Sequence, residues 1–238
     1  MRRLLIATRN AHKVGEIRAI LGGQFDCLSL AELADVPEVV EDAGTFAGNA
    51  TKKAIELAKW LSASPERLGT AGDWAKENLV LADDSGLEVD ALGGAPGVHS
   101  ARFAALDTGQ AGNSSSAENN AKLLRLLKDI PIEKRTGRFR CVLALTPVLG
   151  QKSEVASPVC FADEFETQTQ IFQGVCEGSI GFELRGAGGF GYDPLFFPVG
   201  YKQTFAELSE AEKNRLSHRA QALALMKAAL VGSSVFKR

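Results

Sequence analysis

Leu79-Val80-Leu81-Ala82-Asp83-Asp84-Ser85-Gly86 sets an unbroken apolar run against two adjacent carboxylates. A short apolar run ended by turn-forming residues reads as a buried strand. Leu87 to Leu92 then reads as a second strand paired with it, and Gly93-Gly94-Ala95-Pro96-Gly97 as a tight loop. Working outward toward the N-terminus, Leu4 to Ala7 is another buried strand. Val14, Ile17, Ile20 and Leu21 mark a helix face that Gly22-Gly23 ends, and Phe25 to Leu30 is a strand. A long helix starts at Thr45, with Phe46, Ala50, Ala54, Leu57, Ala58 and Leu61 on one face, and ends near Ser62 to Pro65. Residues 65–78 look like a polar surface insertion.

Toward the C-terminus, 107–116 is rich in Gly, Asn and Ser and reads as a mobile loop. Ala117 to Leu127 is a helix. Phe139, Cys141, Leu143 and Leu145 alternate with Val142 and Ala144, as in a strand buried on both faces. Further strands are expected within 154–163 and 168–183, and helix over 209–231. Helices alternate with strands early and strands cluster later, which argues for a mixed sheet in an α/β or α+β fold.

The 238 residues suit one domain with two lobes or two closely packed small ones. Hydrophobic content of 45% and charged content of 24% are those of a soluble globular chain. A net charge of −2 gives no basic footprint for nucleic acid. Cys27, Cys141, Cys160 and Cys176 form no C-x-x-C pair, so they read as free thiols in a reducing compartment. The apolar stretch after Met1-Arg2-Arg3 is too short for a signal peptide, and no run reaches the ~20 apolar residues of a membrane span. The expectation is a cytoplasmic protein with neither a nucleic-acid nor a membrane partner.

Five stretches could carry chemistry. Thr8-Arg9-Asn10-Ala11-His12-Lys13 joins a strand to a helix, so its backbone N–H groups can meet an anion. Asn10 equally suits a plain N-cap. Asp83 and Asp84 are neighbours on a strand and should point apart. One can then face a magnesium ion and its water while the other supports it; the bland alternative is a polar turn. Glu41-Asp42 could add a metal carboxylate, or simply favour a helix N-terminus.

Gly186-Ala187-Gly188-Gly189-Phe190-Gly191 spells G-x-G-x-x-G, but Asp193-Pro194 follows where a dinucleotide site needs a helix. A backbone that approaches a ligand, with Phe190 or Tyr192 stacking on a base, competes with a glycine-rich hairpin loop. Ser209 to Glu212 matches a capping box. In one continuous helix Lys213 and His218 would lie about 140° apart. With Ser217 as N-cap of a second helix, His218 and Arg219 reach a helix N-terminus, where anions bind. A solvated charged face is the alternative.

The order of these motifs resembles a known family. Thr8-x-Asn10-x-x-Lys13 is followed by Thr45-Phe46-x-x-Asn49-Ala50-x-x-Lys53-Ala54 and Ala82-Asp83-Asp84-Ser85-Gly86-Leu87. Leu92-Gly93-Gly94-Ala95-Pro96-Gly97-Val98-x-Ser100-Ala101-Arg102, Gly189-Phe190-Gly191-Tyr192-Asp193-Pro194 and Ser217-His218-Arg219 complete it. Together they resemble the Ham1/inosine triphosphate pyrophosphatase family along nearly the whole chain.

The resemblance implies one α/β domain over 1–238, an elongated two-lobed mixed β-sheet flanked by helices with a central nucleotide-binding cleft. It implies a homodimer that converts ITP, dITP and XTP to the monophosphate and pyrophosphate. Asp84 becomes the proton acceptor and a metal ligand, and Glu41 the other ligand, with Mg²⁺ as cofactor and Mn²⁺ as an alternative. Thr8, Arg9, Asn10, Ala11, His12, Lys13, Lys53, Ser85, Phe190, Gly191, Tyr192, Asp193, Lys213, His218 and Arg219 become substrate-binding. Lys13, Lys53 and Lys213 would stabilise phosphate charge, and His218 and Arg219 would read the 6-oxo group of the base.

Gly48 departs from the pattern, which usually has Glu there. It removes a capping-box partner of Thr45 and puts metal affinity in question. Rival readings are a Maf-like pyrophosphatase acting on modified pyrimidines, and a non-catalytic nucleotide-binding regulator.

Overall fold

The computed structural model describes residues 2–64, 78–109, 111–149 and 163–232. Its elements are β1 (Arg3–Ile6), α1 (Ala11–Leu21), β2 (Asp26–Ser29), α2 (Phe46–Ala63), β3 (Asn78–Val89), α3 (Ala105–Thr108) and α4 (Ser116–Leu127). There follow β4 (Thr136–Pro147), α5 (Glu164–Gln168), β5 (Gln170–Ile180), β6 (Phe196–Pro198), α6 (Glu210–Leu216) and α7 (His218–Gly232). The strands form one sheet in the order β2-β1-β3-β4-β5-β6. β1 lies parallel to β2 and to β3, with Arg3 opposite Asp26 on one side and Asn78 on the other. β5 and β6 are antiparallel, with Ile180 opposite Phe196. The sheet is therefore mixed, as the sequence indicates.

Contacts divide the chain into two compact units. One comprises Met1–Asp84, Val142–Phe172 and Leu223–Arg238, the other Ser85–Cys141 and Gln173–Ala222. In the first, Leu4 to Ala7, Leu79 to Ala82, the Val14, Ile17 and Leu21 face of α1 and the apolar stripe of α2 are all buried. Thr45 caps α2 by accepting from the Gly48 N–H. Asn49 and Lys53 lie in the same buried stripe as Phe46, Ala50, Ala54 and Leu57, so two polar side chains occupy core-facing positions. In the second unit, Leu87, Val89, Phe103, Leu123, Leu127, Phe139, Tyr192, Leu195 and Phe196 belong to one core cluster. Arg135 is buried there and donates to the carbonyls of Leu127, Ile130 and Gly181.

Several expectations change. Asp83-Asp84-Ser85-Gly86 is not a turn between two strands: β3 runs unbroken from Asn78 to Val89. β1 pairs with its first half, Asn78 to Leu81, and β4 is its neighbour on the other side, so the strand's place inside the sheet outweighs the turn preference of those residue types. Asn78, assigned to the insertion, opens this strand; 65–77 lie outside the described residues. The strand expected within 154–163 falls on 154–162, also outside them, and Asp163 caps α5. Of the loop 107–116, Asp107 and Thr108 are in α3, where Asp107 pairs with Lys122 and Arg125, and Ser115 caps α4. β4 is buried on both faces from Cys141 to Thr146, while the half carrying Arg138 and Arg140 alternates. Cys141 and Cys176 are buried free thiols, burial pushing Cys176 up to about 12, and Cys27 is a half-buried one. Among the described residues no helix is long and apolar enough to cross a membrane.

Candidate functional site

The first unit gathers charge around the middle of β3. Between β1 and α1, Asn10 Oδ1 accepts from the N–H groups of His12 and Lys13, at 3.0 and 3.3 Å, and caps the helix. Thr8 Oγ1 accepts from the Asn10 N–H at 3.1 Å. Arg9 reaches the Val36 carbonyl, and Ala11 and His12 lie exposed on the first turn. The Lys13 ammonium meets Asp83 Oδ1 at 2.5 Å, and that carboxylate is fully buried.

Helix α2 supplies the other partners. Lys53 donates to the Asp83 carbonyl at 3.2 Å and pairs with Glu41 Oε1 at 2.9 Å. Asn49 Nδ2 donates to Asp84 Oδ2 at 3.0 Å, and Asn49 Oδ1 accepts from the Ala43 N–H at 2.9 Å. The two adjacent aspartates thus answer to different helices, as alternation along a strand requires. Glu41 and Asp42 also part company, since Asp42 pairs with the exposed Lys52.

Burial pushes the Asp84 carboxyl above the usual range. The charge of Lys13, the Asn49 amide and the charge of Lys53 oppose this, and the nearby Glu41 adds to it. A nearby positive charge would favour the ionised form of such a poorly hydrated carboxylate. Carboxylate oxygens suit a hard divalent ion such as Mg²⁺ or Mn²⁺. Among the described residues no group of three or more His, Cys, Asp or Glu could enclose a metal. Glu41 and Asp84 are the carboxylates here that would hold such an ion, with water and substrate oxygens completing its shell.

The second unit gathers aromatic and cationic groups. After β5, the glycine-rich stretch leads to a single 3-10 turn, Asp193–Leu195, and then to β6, so no helix follows the G-x-G-x-x-G. The Asp193 carboxylate is buried and its Oδ2 accepts from the Phe190 N–H at 2.7 Å and from Lys213 at 2.6 Å. Lys213 also stands 4.7 Å from the centre of the Phe190 ring. The two aromatic candidates separate here. Tyr192 is in the core and donates its hydroxyl to the Ser100 carbonyl at 2.9 Å, so its ring is not offered for stacking; Phe190 is half-buried. Asn120 of α4 donates to the Gly191 carbonyl at 3.0 Å.

Helices α6 and α7 break where the capping argument places the break. Ser209 and Glu212 form the capping box of α6, and Ser217 Oγ accepts from the Ala220 N–H at the start of α7. Gly174 of β5 permits this helix start to pack closely: a Cβ there would come within 2.0 Å of the His218 carbonyl oxygen. His218 stacks on Phe139 at 4.9 Å. Arg219, 1% exposed, donates to Ser85 Oγ at 3.3 Å.

Sequence reasoning quoted Asn49 only within a motif and did not single out Asn120. Both left a signal: each is an amide at a core-facing position of an amphipathic helix, where a polar side chain must find a partner.

The Ham1 family sequence profile matches residues 4–229. The dITP/XTP pyrophosphatase of Exiguobacterium sibiricum is 43% identical over 229 residues, 96% of each chain. That of Desulforamulus reducens is 44% identical over 222 residues, 93% of this chain and 92% of its own. A solved HAM1 protein from Coxiella burnetii superposes with a TM-score of 0.72 at 33% identity, covering 98% of this chain and 100% of that one. Motif order, mixed sheet and full-length similarity agree: the chain belongs to the Ham1 family.

Proposed function

We infer that this chain hydrolyses non-standard purine nucleoside triphosphates (ITP, dITP and XTP) to the monophosphate and pyrophosphate. The observation that carries the reading is Asp84: a carboxylate buried beside Glu41, Lys13 and Lys53, in a chain similar end to end to dITP/XTP pyrophosphatases. In this reading Glu41 and Asp84 hold Mg²⁺, or Mn²⁺ in its place. When bound, such an ion polarises phosphate oxygens and makes water a better nucleophile.

The chain's own residues do the rest. Asp84, with its raised affinity for a proton, takes one from the water that attacks the α-phosphorus. Asp83 holds Lys13 in place. An ammonium has three donors, so Lys13 can keep Asp83 and still meet a phosphate oxygen. Lys53 offers the same from α2, and Thr8 to His12 present the start of α1 to the triphosphate. In the second unit Phe190 stacks on the base, and Asp193 fixes both Phe190 and Lys213. His218, Arg219 and Ser85 select a 6-oxo purine, because a buried donor left unpaired by adenine disfavours ATP strongly.

Pyrophosphate release across dITP, XTP, ITP, dATP, dGTP and dTTP, with and without Mg²⁺, tests the reading. Mg²⁺-dependent turnover favouring the first three supports it. Preference for dTTP turns the assignment to a Maf-like pyrimidine enzyme, and binding without turnover to a regulator. The proposal includes a homodimer in the cytoplasm, the dimer being checked by light scattering.

A further inference from the structure

Gly48 is the third residue of α2, between the Thr45 cap and Asn49. A Cβ built there would lie 2.7 Å from the Ala43 Cβ and 3.1 Å from Thr45 Oγ1. The first distance is too short for two carbons. An alanine Cβ has no torsion of its own to yield with, so any side chain at 48 must push the backbone of residue 43. That backbone is a working part: the Ala43 N–H donates to Asn49 Oδ1 at 2.9 Å. At its other end the same amide donates from Nδ2 to Asp84 Oδ2 at 3.0 Å.

Asn49 is 1% exposed, and its sense is fixed. Turned over, it would set its N–H₂ against the Ala43 N–H and its oxygen against the Asp84 carboxylate. One buried amide therefore ties Asp84 to the segment that carries Glu41 two residues before Ala43.

We propose that Asn49 is the positioning residue that sets Glu41 and Asp84 at cation-binding distance from each other, and that Gly48 is the bare position that lets Ala43 reach it. The proposal rests on the reading of Glu41 and Asp84 as the cation-holding pair. In this chain Gly48 is then a condition of the site's assembly and not a ligand missing from it. Adding a side chain at 48 loosens the pair, and removing the methyl of Ala43 relieves the clash.

Mn²⁺ alone, titrated into the full-length protein and followed by the electron paramagnetic resonance of the free ion, tests this. Gly48→Ala should raise the Kd about tenfold or more, the usual effect of disturbing the partners of metal ligands. Ala43→Gly in the same chain should restore it. Asn49→Ala should weaken binding as Gly48→Ala does, with no rescue by Ala43→Gly. A merely structural glycine gives the opposite pattern, because alanine is the better helix former: Gly48→Ala would raise the Tm and leave the Kd unchanged. That result, or a Gly48→Ala defect that Ala43→Gly fails to reverse, overturns the proposal. Glu41→Gln and Asp84→Asn identify a different failure. If saturable Mn²⁺ binding survives both, or the unaltered protein has none, the cation assignment itself is wrong.

Discussion

The two units hold their polar side chains by different means. In the first, charge is set mainly against charge: Lys13 on the fully buried Asp83, Lys53 on Glu41, and Asp84 left with one amide and a raised pKa. In the second, a buried ion pair, Asp193 with Lys213, is tied into contacts with the backbone. Asp193 clamps Phe190 and Lys213, Tyr192 reaches the Ser100 carbonyl, and Asn120 holds Gly191. The difference is between a cluster under electrostatic tension, which in the proposed reading a cation and phosphates relieve, and a scaffold anchored largely on backbone groups, which can discriminate shape without rearranging. Chemistry that develops charge needs the first, and selection among similar bases needs the second.

The largest test falls on the tension. Asp84→Asn should lower kcat by about 10³-fold, within the range for loss of a general base, without destabilising the metal-free protein. Burial holds the folded-state pKa of Asp84 above its unfolded value. Its contribution to stability is therefore full below the unfolded pKa and is lost as the pH rises through the folded pKa. The amide variant escapes that loss, so its Tm relative to the unaltered protein should rise as the pH is raised above the unfolded carboxylate pKa. A lower Tm at neutral pH would mean that Asp84 is a structural anchor and that the contrast between the units is false.

Loss of a buried carboxylate from the second unit should behave in reverse. Asp193→Ala leaves the buried Lys213 without this carboxylate and should cost about 3 kcal/mol in urea unfolding. Tolerance of the change would show that this cluster too is held in tension. A smaller effect separates the aromatic rings. Tyr192→Phe should cost about 1 kcal/mol of stability, the worth of one buried hydrogen bond. Phe190→Leu should spare stability and raise the KM for dITP, by roughly tenfold if the ring stacks on the base.

How much of this was legible in the sequence follows the same divide. The α2 stripe, the Thr45 and Asn10 caps and the break at Ser217 were readable, because each depends on a few residues within one or two turns. Asp83 and Asp84 were readable as neighbours on a strand, with a polar turn as the alternative, but the run of that strand through Ser85-Gly86 was not. What holds them is remote: β4 as the neighbouring strand, Lys13 70 positions away and Asn49 35 positions away. Tyr192 and Phe190, two residues apart, have equal claims in sequence. Only the Ser100 carbonyl, 92 positions away, tells the core ring from the offered one.

Glu41-Asp42 gives the smallest effect and the finest discrimination, since sequence cannot choose between two adjacent acids. Glu41 turns to Lys53, one turn of helix from Asn49, and its charge reaches Asp84. Asp42 turns outward to Lys52, and that contact lowers its pKa. Exposed pairs of this kind contribute little, because water screens them and both side chains lose freedom. Asp42→Asn should therefore leave kcat, Mg²⁺ dependence and Tm within error, while Glu41→Gln raises the Mg²⁺ concentration needed for half-maximal turnover. If both substitutions shift the Mg²⁺ curve equally, what matters in this segment is its summed negative charge, and the assignment of the cation to one carboxylate of the pair falls.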